Sequence, residues 1–211
     1  YYLTVGNEPY RQPQMPDGVG EGILRGMYRL LPASRPVAGP ESPGQRVAVH
    51  LLGSGAILNE AVKARQLLAD KFQIDADVWS VTSYKQLYRD ALAVERWNRL
   101  HPTEQPRRPY VSSLFDGETG GLFVAASDYM KALSDSLARW LPGELISLGT
   151  DGFGRSDARA QLRDFFEVDA RHVAVAALSG LARRGQIQPE VVARAIKELD
   201  IDPDKPDPWT A

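Results

Sequence analysis

An apolar run at residues 47–52 constrains the fold of this chain more than any other stretch. Its side chains are aliphatic except for His50. Such near-continuous runs are typical of strands that a parallel sheet buries on both faces. Residues 56–72 follow with apolar side chains at helical spacing, and a second strand-like run occupies residues 77–81. The sequence therefore predicts a βαβ unit with a right-handed crossover, and so an α/β domain.

The same alternation of strands and helices continues along the chain. A helix capped by Ser83 is predicted at residues 84–99, and one capped by Ser127 or Asp128 at residues 129–140. The other predicted elements are strands at 111–115, 122–126 and 145–148, a helix around Leu162 to Phe166, a helix capped by Asp169, and a helix at 189–199. The chain is thus expected to end in helices only.

A glycine-rich loop, Gly149-Thr-Asp-Gly-Phe-Gly-Arg-Ser-Asp157, follows the last predicted strand. Turns at the carboxyl ends of parallel strands gather ligands and partner surfaces. Ser156 or Asp157 is predicted to cap the next helix. The loop matches neither GxGxxG nor GxxxxGK(S/T), the two phosphate-binding fingerprints. It is a candidate interface or anion-binding loop, with the residues Gly149, Asp151, Gly152, Gly154, Arg155, Ser156 and Asp157.

A second glycine turn, formed by Gly53, Ser54 and Gly55, opens the first predicted helix. Backbone N–H groups and the helix dipole at such a turn suit an anion, and a tight turn without a ligand is the alternative. The turn is too short for a nucleophile elbow. The three histidines lack metal-binding spacing, and His50 is expected to be a buried, hydrogen-bonded core residue.

Composition excludes several classes of function. The chain has 25 basic and 27 acidic residues, so no basic field is available for nucleic acid. It has no cysteine, which excludes disulfides and thiolate sites and is compatible with a reducing cytosol. No apolar run approaches the roughly 20 residues that span a bilayer. We therefore expect neither a nucleic-acid nor a membrane partner.

Prolines indicate how the chain is divided. Four of them, Pro32, Pro36, Pro40 and Pro43, mark a linker. The predicted division is the end of a preceding domain at residues 1–30, a linker at 31–45, a compact domain at 46–200 and a tail at 201–211. Residues 1–5 alternate like a strand already under way, so we expect the chain to be a piece of a longer protein.

Several motifs follow one another along nearly the whole chain. They are Tyr2-Leu-Thr-Val-Gly-Asn-Glu-Pro-Tyr10, Met15-Pro-Asp-Gly-Val-Gly-Glu-Gly22, Leu51-Leu-Gly-Ser-Gly55, Val78-Trp-Ser-Val-Thr-Ser83, Glu95-Arg-Trp-Asn-Arg-Leu-His-Pro102, Ser127-Asp-Tyr-Met-Lys131, the glycine-rich loop, Phe166-Glu-Val-Asp-Ala170 and Val175-Ala-Ala-Leu178. In this order they resemble the carboxyl-terminal region of the homodimeric pyruvate dehydrogenase (acetyl-transferring) component, a family of the transketolase-like thiamine-diphosphate superfamily.

The resemblance implies a fold for this segment and a structural role for it in the enzyme. Residues 46–200 would form a transketolase C-terminal-like domain, a mainly parallel five-stranded sheet with helices on both faces. Residues 1–30 would be the end of the middle, pyrimidine-type domain. No position matches the family's cofactor ligands, so we expect no catalytic, cofactor-binding or metal-binding residue in this segment. The expected role of the segment is structural, in assembling the dimer.

The resemblance also implies an activity for the full-length enzyme. That enzyme would use thiamine diphosphate and magnesium to decarboxylate pyruvate and acetylate the lipoyl group of the dihydrolipoyl acyltransferase component. It would be a cytoplasmic homodimer in the multienzyme complex that links glycolysis to acetyl-CoA. Two alternatives stay open for the segment itself. In place of the structural role, it would be a regulatory module that binds an anion or nucleotide at its glycine turns, or a docking domain for the acyltransferase.

Overall fold

The computed structural model describes residues 9–33, 37–38 and 46–210. Strands and helices alternate through most of this range, and the last elements are helices, as predicted. The strands are β1 (Met27–Leu31), β2 (Val37–Ala38), β3 (Arg46–Val47), β4 (Val49–Ser54), β5 (Asp77–Val81), β6 (Gly121–Ala126) and β7 (Gly143–Leu148). The helices are α1 (Gly20–Arg25), α2 (Leu58–Phe72), α3 (Tyr84–Leu100), α4 (Tyr110–Ser113), α5 (Lys131–Asp135), α6 (Arg159–Phe165), α7 (Ala170–Arg183) and α8 (Pro189–Glu198).

A five-stranded sheet with the strand order β1-β5-β4-β6-β7 forms the centre of the fold. Strands β4 to β7 are parallel, and β1 pairs antiparallel with β5 at one edge. The register sets His50 of β4 between Asp77 of β5 and Phe123 of β6. These observations confirm the predicted mainly parallel five-stranded sheet. Strands β2 and β3 pair separately.

Helices cover both faces of the sheet, as predicted. Helices α2, α7 and α8 pack on the face that presents Leu51 and Val124. Helices α3 and α4 pack on the face that presents Leu52 and Phe123. Successive strand residues point to opposite faces, so a strand covered on both sides is apolar at nearly every position. No helix in the described part of the chain is long and apolar enough to cross a membrane.

Two predicted helix caps are confirmed. The Ser83 hydroxyl accepts a hydrogen bond from the backbone N–H of Gln86 at the start of α3. The Asp169 carboxylate accepts one from the backbone N–H of His172 at the start of α7. Each bond satisfies an open N–H group of a first turn, which is why both helices begin at the expected positions.

The helix predicted at residues 129–140 is much shorter than expected. It consists of α5 and a separate 3-10 turn at Ala138–Trp140. Neither Ser127 nor Asp128 caps it, because the helix begins after Met130. The Ser127 hydroxyl instead accepts from the backbone N–H of Tyr129, a local bond that competes with helix capping.

A strand was predicted at residues 111–115, but residues 111–113 lie in the short helix α4 and a turn follows. The backbone N–H of Tyr110, its first residue, donates to Asp90 Oδ2 at 2.7 Å. Asp90 lies on α3, so the open backbone N–H at the start of this helix finds its acceptor in a distant part of the chain. A local apolar run does not contain that information, which is why the strand prediction was wrong.

The beginning and end of the described chain both pack against the main domain. Strand β1 falls almost wholly within residues 1–30, yet it pairs with β5 and therefore belongs to the central sheet. At the other end, Lys205 Nζ lies 3.5 Å from Glu167 Oε1, so the tail folds back beside α6. The strand predicted at residues 1–5 and most of the predicted linker lie outside the described residues. The domain division itself stays a prediction.

Candidate functional site

The glycine-rich loop lies at the carboxyl end of β7, beside the loop that follows β6. Two hydrogen bonds join these loops. The backbone N–H of Thr150 donates to the carbonyl oxygen of Tyr129 at 2.9 Å. The backbone N–H of Lys131 donates to Asp151 Oδ1 at 3.1 Å. The two loops therefore form one connected surface at the edge of the sheet where ligand and partner sites usually lie.

Close packing explains Gly149, and a left-handed backbone together with a close neighbour explains Gly152, whose φ is +79°. A Cβ at Gly149 would overlap the carbonyl oxygen of Tyr129 and lie 3.1 Å from the backbone nitrogen of Lys131. Since both neighbours are backbone atoms, no side-chain movement would relieve that overlap. A Cβ at Gly152 would lie 3.3 Å from the carbonyl oxygen of Trp209. The segment around Trp209 is thus a third part of the same surface.

The side chain of Asp151 links the glycine-rich loop to the loop that follows β6. Its Oδ1 accepts from the backbone N–H of Lys131, the first residue of α5. Its Oδ2 lies 3.6 Å from Lys131 Nζ, and its side chain is only 10% exposed. The carboxylate therefore stabilises the start of α5, the helix that follows the neighbouring loop. Its role in the described structure is structural.

The second half of the loop is exposed. A Cβ at Gly154 would meet no described atom within 4 Å. The guanidinium of Arg155 lies 4.4 Å from the centre of the Phe165 ring, beside a hollow of about 330 Å³ that Ser156 also lines. These residues are open to solvent in the described structure and suit a contact surface better than an enclosed site.

The predicted cap at Ser156 or Asp157 is wrong. Helix α6 begins after Ala158, whose backbone is extended and which makes no side-chain cap. Asp157 Oδ1 accepts from the backbone N–H of Ala158 at 2.7 Å. That bond lies before the helix, so Asp157 does not reach the open N–H groups of the first turn.

The second candidate turn, formed by Gly53, Ser54 and Gly55, lies at the end of β4, where α2 packs closely on the sheet. Gly53 and Ser54 lie inside β4, and Gly55 begins a 3-10 turn in which Ser54 makes no side-chain cap. A Cβ at Gly53 would lie 2.6 Å from the Cα of Leu58, so this glycine allows α2 to approach β4. Strand β6 lies between β4 and β7 in the sheet. The two glycine turns therefore end non-adjacent strands.

A buried titratable group, His50, lies at the opposite, amino-terminal end of the strands. His50 Nε2 is 2.6 Å from Glu118 Oε1, and His50 Nδ1 is 3.2 Å from Asp77 Oδ2. The imidazole stacks on Phe123 at 4.6 Å between ring centres and meets Phe115 edge-on. The prediction of a buried, hydrogen-bonded core histidine is confirmed.

Two partners compete for His50 Nδ1. The indole N–H of Trp79, 3.2 Å away, can only donate, whereas the Asp77 carboxylate can only accept. Burial disfavours the charged ring, but hydrogen bonds to Asp77 and Glu118 outweigh burial and raise the pKa of His50 above its ordinary value. An imidazolium donates to both carboxylates, and a neutral ring protonated on Nε2 accepts from Trp79. Both protonation states thus have partners.

Sequence reasoning missed the two carboxylates of this cluster. Glu118 is 68 residues from His50 along the chain, so no spacing rule connects them. The one available signal was Asp77, a charged residue at the start of an otherwise apolar strand. Burying such a residue is costly unless it is paired, so its position indicated a partner without identifying it.

A third polar cluster surrounds Glu60, whose side chain is 6% exposed. Its Oε1 accepts from Arg163 and Lys63, both at 2.9 Å. Its Oε2 accepts from the backbone N–H of Ala170, the first residue of α7. Glu60 thus joins α2, α6 and α7 beside a hollow of about 550 Å³ that Tyr10 also lines.

One group in the described structure has the spacing of metal ligands, namely Asp164, Asp169 and His172. The guanidinium of Arg171 lies 2.5 Å from Asp164 Oδ1 and 2.8 Å from Asp169 Oδ2. Asp169 also accepts from His172, and these bonds outweigh burial and hold the pKa of its carboxyl well below its usual range. A bound cation would have to compete with Arg171, so the donor set does not favour a metal.

Comparison with known protein families agrees with the fold. The model described as the transketolase-like TK C-terminal domain matches residues 26–169. Among solved structures, a mutant transketolase from Pichia stipitis has a TM-score of 0.50 and 18% sequence identity. That alignment covers 77% of this chain and 19% of the transketolase. At this identity the likeness concerns the fold alone.

Curated relatives match nearly the whole chain. The pyruvate dehydrogenase E1 component of Pseudomonas aeruginosa is 51% identical over 211 residues, which is 99% of this chain and 23% of the relative. The E1 component of Escherichia coli K12 is 45% identical over 100% of this chain and 22% of the relative. That of Mycolicibacterium smegmatis is 41% identical over 96% and 21%. The chain therefore spans less than a quarter of the length of these relatives.

Proposed function

Because the chain belongs to the family of transketolase-like C-terminal domains, we propose that it is the carboxyl-terminal part of a pyruvate dehydrogenase (acetyl-transferring) E1 component. The observation that carries this proposal is the match with relatives named pyruvate dehydrogenase E1 component, over 99–100% of the chain at 45–51% identity. The glycine-rich loop of residues 149–157 lies inside the matched length. The proposed full-length enzyme decarboxylates pyruvate and acetylates the lipoyl group of a dihydrolipoyl acyltransferase.

In the proposed enzyme, thiamine diphosphate, held with magnesium, supplies the carbanion chemistry that decarboxylation requires. The acidic clusters among the described residues do not suit a magnesium ion. Their one cluster with ligand spacing is bound to Arg171, and the Asp151 carboxylate is bound to Lys131. We therefore assign no step of the reaction to this segment and expect the remainder of the polypeptide to hold the cofactors.

The proposed contribution of the segment is to assembly. Its charged clusters, around His50 and around Glu60, are satisfied by partners within the chain. The loop of residues 149–157 is instead exposed in its second half while its first half is locked to neighbouring backbone. This combination supports a contact with the rest of a cytoplasmic homodimer. The acyltransferase is the further partner that the proposed activity requires.

The native gene product provides the test. Its denatured intact mass is expected to lie far above 23.3 kDa, the mass of this chain. The purified product is expected to acetylate a lipoyl domain when pyruvate, thiamine diphosphate and magnesium are present. The matched control omits thiamine diphosphate. A product of 23.3 kDa, or a longer one without pyruvate-dependent acetylation, would contradict the proposal.

A further inference from the structure

Four large apolar side chains lie exposed on the three segments that meet at the carboxyl end of β6 and β7. Tyr129 is 59% exposed, Met130 60%, Phe153 95% and Trp209 65%. We call these four residues the carboxyl-edge patch. Scattered exposed apolar residues are normal on protein surfaces. Four of them on adjoining segments, including three aromatic rings, have the composition of an interface core.

The segments that carry the patch are held in place before any partner binds. Thr150 donates to the carbonyl oxygen of Tyr129, and Asp151 accepts from the backbone of Lys131. Gly152 packs against the backbone of Trp209. A surface ordered in advance loses little conformational entropy on association, so apolar contacts there contribute more of their free energy to binding. These contacts hold the backbones of the three segments together.

The surroundings of the patch match the anatomy of a protein interface. Phe153 is flanked along the loop by Gly154, Arg155 and Ser156, all of which are exposed. A polar rim around a central aromatic residue is typical of recognition surfaces, and aromatic residues dominate their energetics. Phe153 is the most exposed large apolar residue in the described part of the chain. It is therefore the expected anchor.

We propose that the carboxyl-edge patch is the docking surface for the part of the full-length polypeptide that precedes this segment. This inference rests on the proposed function. The chain spans 23% of the length of its Pseudomonas aeruginosa relative, so most of such an enzyme lies outside it. The amino-terminal part of the described chain also packs against α6, the helix that follows the loop carrying Phe153. The ring of Tyr10 lies 4.4 Å from the guanidinium of Arg159, the first residue of α6, directly after the loop.

The structure favours this occupant over a free peptide or a small anion. Tyr10 Oη lies 3.4 Å from Arg163, so the incoming segment is already anchored on α6. Because α6 directly follows the loop that carries Phe153, covalent linkage through Tyr10 gives the preceding polypeptide a high effective concentration at this end of the domain. A small anion would gain nothing from four apolar side chains. A second copy of this segment and the acyltransferase are the other occupants that the test distinguishes.

The test uses photo-crosslinking in the full-length enzyme. A benzophenone amino acid replaces Phe153, and a matched control carries it at Leu100, which is 54% exposed at the end of α3. On irradiation, the probe at residue 153 is expected to attach to peptides that precede this segment, in the same or the partner subunit. The probe at residue 100 is expected to yield at least tenfold less of those products. Mass spectrometry identifies the attached peptides.

Every other result overturns the inference. Attachment of residue 153 mainly to residues 9–210 of a second copy would assign the patch to contact between two such segments. Attachment to the acyltransferase would make it an external docking site. No attachment, with the benzophenone shown to be reactive by its capture of an added apolar peptide, would leave Phe153 in solvent. Pyruvate-dependent activity of the unlabelled enzyme is measured first, so failure of the docking inference is distinguishable from failure of the proposed function.

Discussion

The two ends of the central sheet use their aromatic residues in opposite ways. At the amino-terminal end, Phe115, Phe123 and Trp79 enclose His50, which two carboxylates also contact. At the carboxyl end, Phe153 and Trp209 are exposed. Both ends are well ordered by hydrogen bonds. They differ in whether the chain itself covers the apolar surface.

This difference indicates that the amino-terminal end contributes to the stability of the fold and the carboxyl end to assembly. Groups at the amino-terminal end find all their partners within one chain, so changes there are expected to affect folding. Groups at the carboxyl end are positioned by backbone contacts but leave their side chains uncovered, so changes there are expected to affect association. A perturbed histidine in a cleft often indicates catalysis. Here the same feature is buried inside the core and serves the fold.

The largest expected effect comes from removing the central histidine. His50→Leu keeps an apolar volume but leaves Asp77 and Glu118 without their shared partner, at a predicted cost of about 3 kcal/mol in unfolding free energy. Urea unfolding of the chain measures this cost. Glu118→Gln is the matched control, since it keeps a hydrogen-bond acceptor, and is expected to cost less. Equal stability of His50→Leu and the wild type would remove the distinction between the two ends.

A somewhat smaller effect is expected at the junction of the carboxyl-end loops. In Gly149→Val the new side chain would overlap the backbone of Tyr129, so the loops would have to separate, at about 2 kcal/mol. Gly154→Val is the control, because a Cβ at that position meets no described atom. The unfolding midpoint in urea of both variants tests this. Equal destabilisation by the two would show that backbone packing does not explain Gly149.

The pH dependence of stability distinguishes the two ends further. Hydrogen bonds to Asp77 and Glu118 raise the folded-state pKa of His50 in spite of its burial. Arg29 on β1 is the cation that lies beside Asp77. A raised pKa contributes stability that is fully present below the unfolded-state pKa and is lost as pH rises through the folded-state pKa. The free energy of unfolding should therefore decrease over that interval in the wild type and less in His50→Leu. Parallel pH profiles would contradict this; NMR titration of the His50 ring gives the pKa directly.

The smallest effect on folding is expected at the carboxyl-edge patch. Phe153→Ser replaces a side chain that is 95% exposed, so the unfolding free energy of the chain should change by no more than about 0.5 kcal/mol. In the full-length enzyme the same substitution should raise hydrogen exchange of residues 149–157, since the covering polypeptide would be lost. Leu100→Ser is the matched exposed control. Unchanged exchange in the full-length enzyme would show that Phe153 is not covered there.

Local patterns predicted most of the central fold. The apolar run of β4 and the caps at Ser83 and Asp169 act within a few residues, so spacing alone located those elements. The glycine-rich loop was also identified as a precise turn at a strand end. What local patterns did not predict was the helix α4, because the start of that helix depends on Asp90 from α3.

The sequence by itself determined a mainly parallel α/β sheet covered on both faces, since the apolar spacing of strands and helices is a local property. The tertiary structure alone decided which distant residues meet. It set Asp77 and Glu118 around His50 through the strand register, and it set the loops that carry Tyr129, Phe153 and Trp209 together at one edge. Contacts of this kind depend on strand order and on packing of backbone against backbone, neither of which is encoded in the spacing of any single segment.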